Sequence, residues 1–111
     1  MTTGKNKIEF EKWYSEYIKE IHYRHHFICR TYQEFFDMLP FEMKIGVYLA
    51  YYDSLGYRVF AGKDNYGNKY GWNVNLVGYN VEDTLFEAYK AAFKEADKQR
   101  NKEQSATNKP L

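Results

Sequence analysis

The spacing of apolar residues changes period twice along this chain, and those two changes restrict its fold more than any other feature. Up to about residue 55 the apolar positions recur every three or four residues. From Tyr57 to Leu76 they alternate, and beyond Thr84 they return to helical spacing. A two-stranded ribbon alone is marginal in water, so the flanking helices must cover its apolar face. The expected class is α+β: three N-terminal helices, a β-hairpin and a closing C-terminal helix.

The first helix is expected over about 7–27, because Phe10, Trp13, Tyr14, Tyr17, Ile18 and Ile21 form one stripe, with Asn6 as N-cap and Glu9 as its reciprocal acid. Thr31-Tyr32-Gln33-Glu34 reads as a capping box for a short helix carrying Phe35, Phe36 and Leu39, which Pro40 separates from the next. Residues 41–55 fit two templates. Ile45, Val47, Leu49 and Tyr51 alternate like a strand, which would make the sheet three-stranded and antiparallel. Phe41, Ile45, Tyr48, Leu49, Tyr52 and Leu55 instead form a longer helical stripe, with Gly56 at the C-terminal cap position. Fifteen residues is long for a strand and ordinary for a helix, so we read a helix.

In the hairpin, Val59, Ala61, Trp72, Val74 and Leu76 belong to the apolar face, Arg58, Phe60, Asn73 and Asn75 to the opposite one, and Gly78 ends the ribbon. The last helix is capped by Asn80 with Asp83 or by Thr84 with Glu87, and buries Leu85, Phe86, Tyr89, Ala92, Phe93 and Ala96. The sequence turns polar from Gln99, so one globular domain is expected over 1–98 and a flexible tail over 99–111. Trp13, Tyr17, Phe36, Trp72, Val74 and Phe93 are the expected core.

Composition narrows the function classes. Sixteen Lys and Arg against fifteen Asp and Glu leave a net charge of +1, so no strong field recruits nucleic acid. Cys29 is the one cysteine, which excludes an internal disulfide and fits a reducing compartment. The longest apolar run, Ile45 to Tyr52, is far shorter than the ~20 residues of a spanning helix, and Met1–Lys5 carries no secretion signal. A cytoplasmic protein without membrane contact is expected.

His22, His25, His26 and Cys29 have the composition of a zinc site, but four ligands on one straight helix do not converge tetrahedrally on one ion. The plainer reading places His25 on the core stripe and the other histidines at its edge. The same stretch lacks any acid between Glu20 and Glu34 while gathering Arg24, Arg30 and three histidines beside Tyr23, Phe27 and Tyr32. That suits an acidic protein surface, phosphate or RNA; a helix end whose cations complement the macrodipole fits equally well.

No nucleophile elbow, HExxH or P-loop occurs, no acid–base pair stands out, and a single cysteine is more often a small core hydrophobe than a nucleophile. The chain is therefore expected not to be an enzyme and to use no cofactor. Its twelve tyrosines are the unusual feature. Tyr23, Tyr51, Tyr66 and Tyr79 fall outside the assigned stripes, and rigid amphipathic rings are preferred at interfaces.

Leu39-Pro40, Met43, Gly46-Val47-Tyr48, Tyr51-Tyr52-Asp53-Ser54 and Gly56 form a pattern that resembles small uncharacterised open reading frames of bacteriophages and prophages, especially in Bacteroidota. The resemblance runs over residues 39–96 and includes the alanine-containing closing helix. It implies a viral accessory protein acting on a component of its bacterial host, a class that includes inhibitors of bacterial immunity, and it transfers no catalytic residues. An α-β-β-β-α order, with 45–53 as a strand, would also look like a double-stranded RNA-binding domain. The acidic Val81-Glu82-Asp83-Thr84 at the start of the last helix opposes that reading.

The expected function is a non-catalytic protein-binding domain that occludes a host protein, with Tyr23, Arg24, His26, Arg30, Arg58 and Asn73 as binding residues. Alternatives are a small nucleic-acid or nucleotide binder, and a zinc protein built on His22, His25, His26 and Cys29.

Overall fold

A computed structural model describes residues 1–21, 32–63 and 67–107. Its elements run α1 (Gly4–Ile21), α2 (Tyr32–Met38), α3 (Phe41–Ser54), β1 (Val59–Lys63), β2 (Tyr70–Val74), β3 (Val77–Glu82) and α4 (Leu85–Thr107). The strands form one antiparallel sheet in the order β1-β2-β3. The α+β class holds. The third strand, however, is 77–82, not 45–53.

Helix α3 follows from local chemistry. Pro40 stands extended at its N-cap, where its carbonyl accepts from the amides of Met43 and Lys44. At the other end Gly56 takes φ +80°, the amide of Tyr57 donates to Tyr52 and that of Gly56 to Asp53. These paired bonds make a Schellman cap, and they need the glycine. Of the two caps offered for α4, the Thr84 one forms: its hydroxyl accepts from the amide of Glu87 at 3.1 Å.

Gly78 does not end the ribbon. The chain turns at Asn75-Leu76 and returns as β3, and a Cβ on Gly78 would lie 1.9 Å from the carbonyl oxygen of Trp72. Glycine here allows close strand approach. The order α3-β1-β2-β3-α4 is thus α-β-β-β-α after all, with Glu82 and Asp83 still acidic at the mouth of α4.

The core lies between α4 and the other helices on one side and the sheet on the other. Phe10, Tyr14, Ile18, Phe36, Tyr51, Tyr52, Val74 and Phe93 are all buried. The expected core residues Trp13, Tyr17 and Trp72 are only half-buried, packed against its rim. Tyr51, placed outside the α3 stripe from the sequence, is wholly buried, because α3 is enclosed by α1 and α4 and its hydroxyl finds partners there. Leu76, expected on the apolar face, is 93% exposed at the turn.

Two further expectations fail for one shared reason. Asn6 does not cap α1; it lies within the first turn, fully buried. Its side-chain amide donates to Asp97 at 2.8 Å and to the Tyr52 hydroxyl at 3.0 Å, and its carbonyl accepts from Tyr51 at 2.6 Å. The polar stretch 99–107 is no flexible tail. It continues α4, and Arg100 grips both oxygens of Glu9 at 2.8 and 2.9 Å while Asn101 accepts from the amide of Asn6. Polar residues that read as surface are ordered by partners distant in sequence.

Candidate binding surface

Two regions offer polar chemistry. The first is the knot joining α1, α3 and α4. The amide and hydroxyl of Thr3 donate to the two carboxylate oxygens of Asp97, and the hydroxyl of Tyr57 donates to Glu103. The Arg100 guanidinium holds the Glu9 carboxyl below its ordinary range. Burial raises the phenols of Tyr51, Tyr52 and Tyr57, and pushes Tyr48 up to about 12. Every group named here has a partner and the tyrosines stay protonated. This arrangement holds helices together and offers no base or nucleophile to a substrate.

The second region is the sheet side. Cross-strand pairing places Val59, Ala61, Trp72, Val74, Val77 and Tyr79 on the face towards α4. Helix α4 makes its close contacts mainly with β1 and β2, so β3 overhangs it. The gap is a groove of about 700 Å³ between Trp72 and Tyr79 of the sheet and a stretch of α4 that carries Lys94 and Lys98 together with Glu95 and Asp97. Trp72 and Tyr79 meet edge to face at 5.7 Å, and Tyr79 is 66% exposed. The indole N–H of Trp72 is shielded from solvent and has no hydrogen-bond partner among the described residues.

Lys90, Lys94, Lys98 and Lys102 are all exposed on α4 and follow one another at i, i+4, i+8 and i+12. Lys94, Lys98 and Lys102 form no ion pair among the described residues. Exposed acids and bases alternate too evenly along this helix for composition to reveal the row. Projecting 90–102 onto a helical wheel does reveal it.

At the end of the sheet, the candidate binding residues Arg58 and Asn73 line a cavity of about 330 Å³ with Asn75 and Leu76. Asn75 fixes this tip: its side-chain oxygen accepts from the amide of Arg58, and its side-chain NH₂ donates to Gln99 at 3.0 Å. Phe60 sits across from Asn73 on the outer face, 65% exposed. Tyr23, Arg24, His26 and Arg30 lie outside the described residues, as do His22, His25 and Cys29. Among the described residues no group of three His, Cys, Asp or Glu is placed to hold a metal ion, and no helix is long and apolar enough to cross a membrane.

A third cavity, about 450 Å³ and almost wholly apolar, opens between α1, α2 and α3 where Tyr14, Tyr17, Phe35 and Val47 face Glu42. Among its described lining residues Glu42 is the one carboxylate. No family model, curated protein or solved structure matches this chain.

Proposed function

We propose that the chain is a non-catalytic binding domain that engages another protein through its sheet and the start of α4. The observation that carries this is the distribution of large apolar side chains left in solvent. Phe60, Leu76, Val77, Tyr79, Val81, Leu85 and Phe86 fall within residues 60–86, against Met1, Ile8, Met38 and Met43 for the remainder of the described chain. Val77 and Tyr79 stand on the face towards α4 and Phe60 on the opposite one, so the sheet offers exposed apolar side chains on both faces, which suits a protein partner. The polar knot lends no chemistry that would favour an enzyme. The resemblance of residues 39–96 to small phage reading frames makes a bacterial host protein the first partner class to test, and occlusion of that protein the first mode of action.

The test is affinity capture from bacterial lysate with the native chain and with a Phe60→Ser, Tyr79→Ser double variant, both verified as folded by circular dichroism. A specific protein retained by the native chain and lost by the variant is expected. A folded variant that retains the same protein at the same level contradicts the proposal.

A further inference from the structure

Resting on that reading, the geometry points to the class of partner: an extended acidic segment that adds to the sheet as a fourth strand along β3, with acidic side chains at alternate positions seated against Lys94 and Lys98.

Three independent observations converge there. First, β3 is an edge strand, and among the described residues it pairs with β2 alone. Edges are normally guarded by Lys, Pro or a covering element. The opposite edge, β1, has both Lys63 and a neighbour, since Leu49, Ala50 and Asp53 of α3 share a cavity with Val59. β3 (Val-Gly-Tyr-Asn-Val-Glu) has neither Lys nor Pro. Its single irregularity falls between Tyr79 and Glu82, leaving the register from Val77 to Tyr79 regular.

Second, an added strand would lie ~4.8 Å beyond β3, with alternate side chains directed to the same side as Val77 and Tyr79. That side opens on the groove, whose far wall holds the exposed Lys94 and Lys98 with the half-buried Glu95 beside them, while the Asp97 carboxylate there already accepts from Thr3 and Asn6. Third, the repeats agree. Alternate residues of a strand recur every ~6.7 Å, and lysines four apart on a helix every ~6 Å.

Charge selects the partner within this geometry. Among the described residues Lys94 and Lys98 form no ion pair, so an incoming carboxylate displaces none of these residues to reach them. A nucleic-acid strand would gain the same lysines but would leave the main-chain edge of β3 unused. The edge, and not the charge alone, favours a peptide.

The experiment uses the full chain and a short peptide alternating Glu and Val, followed by backbone amide shifts and titration. Expected results are shifts at Val77, Gly78 and Tyr79, loss of binding when alternate peptide amides are N-methylated, and about tenfold weaker binding to a Lys94→Glu, Lys98→Glu variant. Absence of binding, binding without shifts in β3, or indifference to charge reversal overturns the inference. Tight binding of an oligothymidylate that is lost in the same lysine variant overturns it too, in favour of single-stranded nucleic acid. Should these fail while Phe60→Ser, Tyr79→Ser still abolishes capture from lysate, the strand-addition mode falls and the protein-binding reading stands.

Discussion

Tyr51 and Tyr79 place the two halves of the molecule side by side. Tyr51, on α3, is wholly buried, and its hydroxyl donates to Asn6 at 2.6 Å and to Glu9 at 3.0 Å. Tyr79, on β3, stands 66% in solvent, with Trp72 against its ring edge to face. The helical half gives the hydroxyls of Tyr48, Tyr51 and Tyr52 hydrogen-bond partners within the protein. The sheet half leaves both ring and hydroxyl available. A ring that is buried and satisfied contributes stability; one left half out of a groove contributes little to the fold and is free to meet a partner. The contrast extends to charge, since Arg100 is clasped by Glu9 whereas Lys94 and Lys98 form no ion pair among the described residues.

The largest expected loss is in the helical half. Phe93 is fully buried between Tyr48, Tyr52 and Tyr89, so Phe93→Ala should cost ~3–5 kcal/mol, measured by urea unfolding. Asn6→Ala should cost about 2–3 kcal/mol by the same measurement, because it strips bonds from Asp97, Tyr51 and Tyr52 together and leaves buried groups unmatched. A small effect at either position would erase the distinction between the two halves.

pH sharpens it. The Glu9 carboxyl is held below its ordinary 4.5, first by its hydrogen bonds from Arg100. A depressed folded pKa means the unfolded chain takes up the proton first. The stabilisation is therefore present above pH 4.5 and is lost as pH falls through the lower folded value. Glu9→Gln should flatten that acid limb in stability-versus-pH measurements. On the alkaline side Tyr48, raised to about 12 by burial, reverses the sense: its contribution is present below pH 10 and is lost as pH rises towards 12. Tyr48→Phe should shift alkaline unfolding to higher pH. In the sheet half, Phe60→Ser should change unfolding free energy by no more than ~0.5 kcal/mol.

What was legible in the sequence followed from local rules. The α3 stripe, Pro40 before it and Gly56 after it are neighbours in sequence, and their consequences are local. The face assignment of Val59, Ala61, Trp72 and Val74 likewise needed only alternation. What escaped depended on contacts across the chain. Asn6 looks like an N-cap until Asp97 and Tyr52 are brought beside it, and residues 99–107 look like a tail until Glu9 and Asn6 order them. β3 escaped because Asn75-Leu76 is a poor turn signal, lacking the glycine expected at the second position. Of the candidate binding residues, Arg58 and Asn73 share one cavity, but the Trp72–Tyr79 groove and the lysine row emerged only once α4 was laid along the sheet.

The Asn75-Leu76 turn gives the sharpest test of the contrast between the half that carries the buried core and the half proposed to bind. Asn75 and Leu76 have φ of +52° and +74°, and Leu76 is 93% exposed, so a β-carbon is held in a left-handed conformation with nothing packed on it to compensate. Leu76→Gly should raise the unfolding free energy by about 0.5–1 kcal/mol, while weakening retention of the partner protein captured by the native chain. Measured together on the same preparation, higher stability with weaker capture supports the account. Lower stability with capture unchanged would show that Leu76 serves the fold, and that the exposed sheet is not the surface this protein uses.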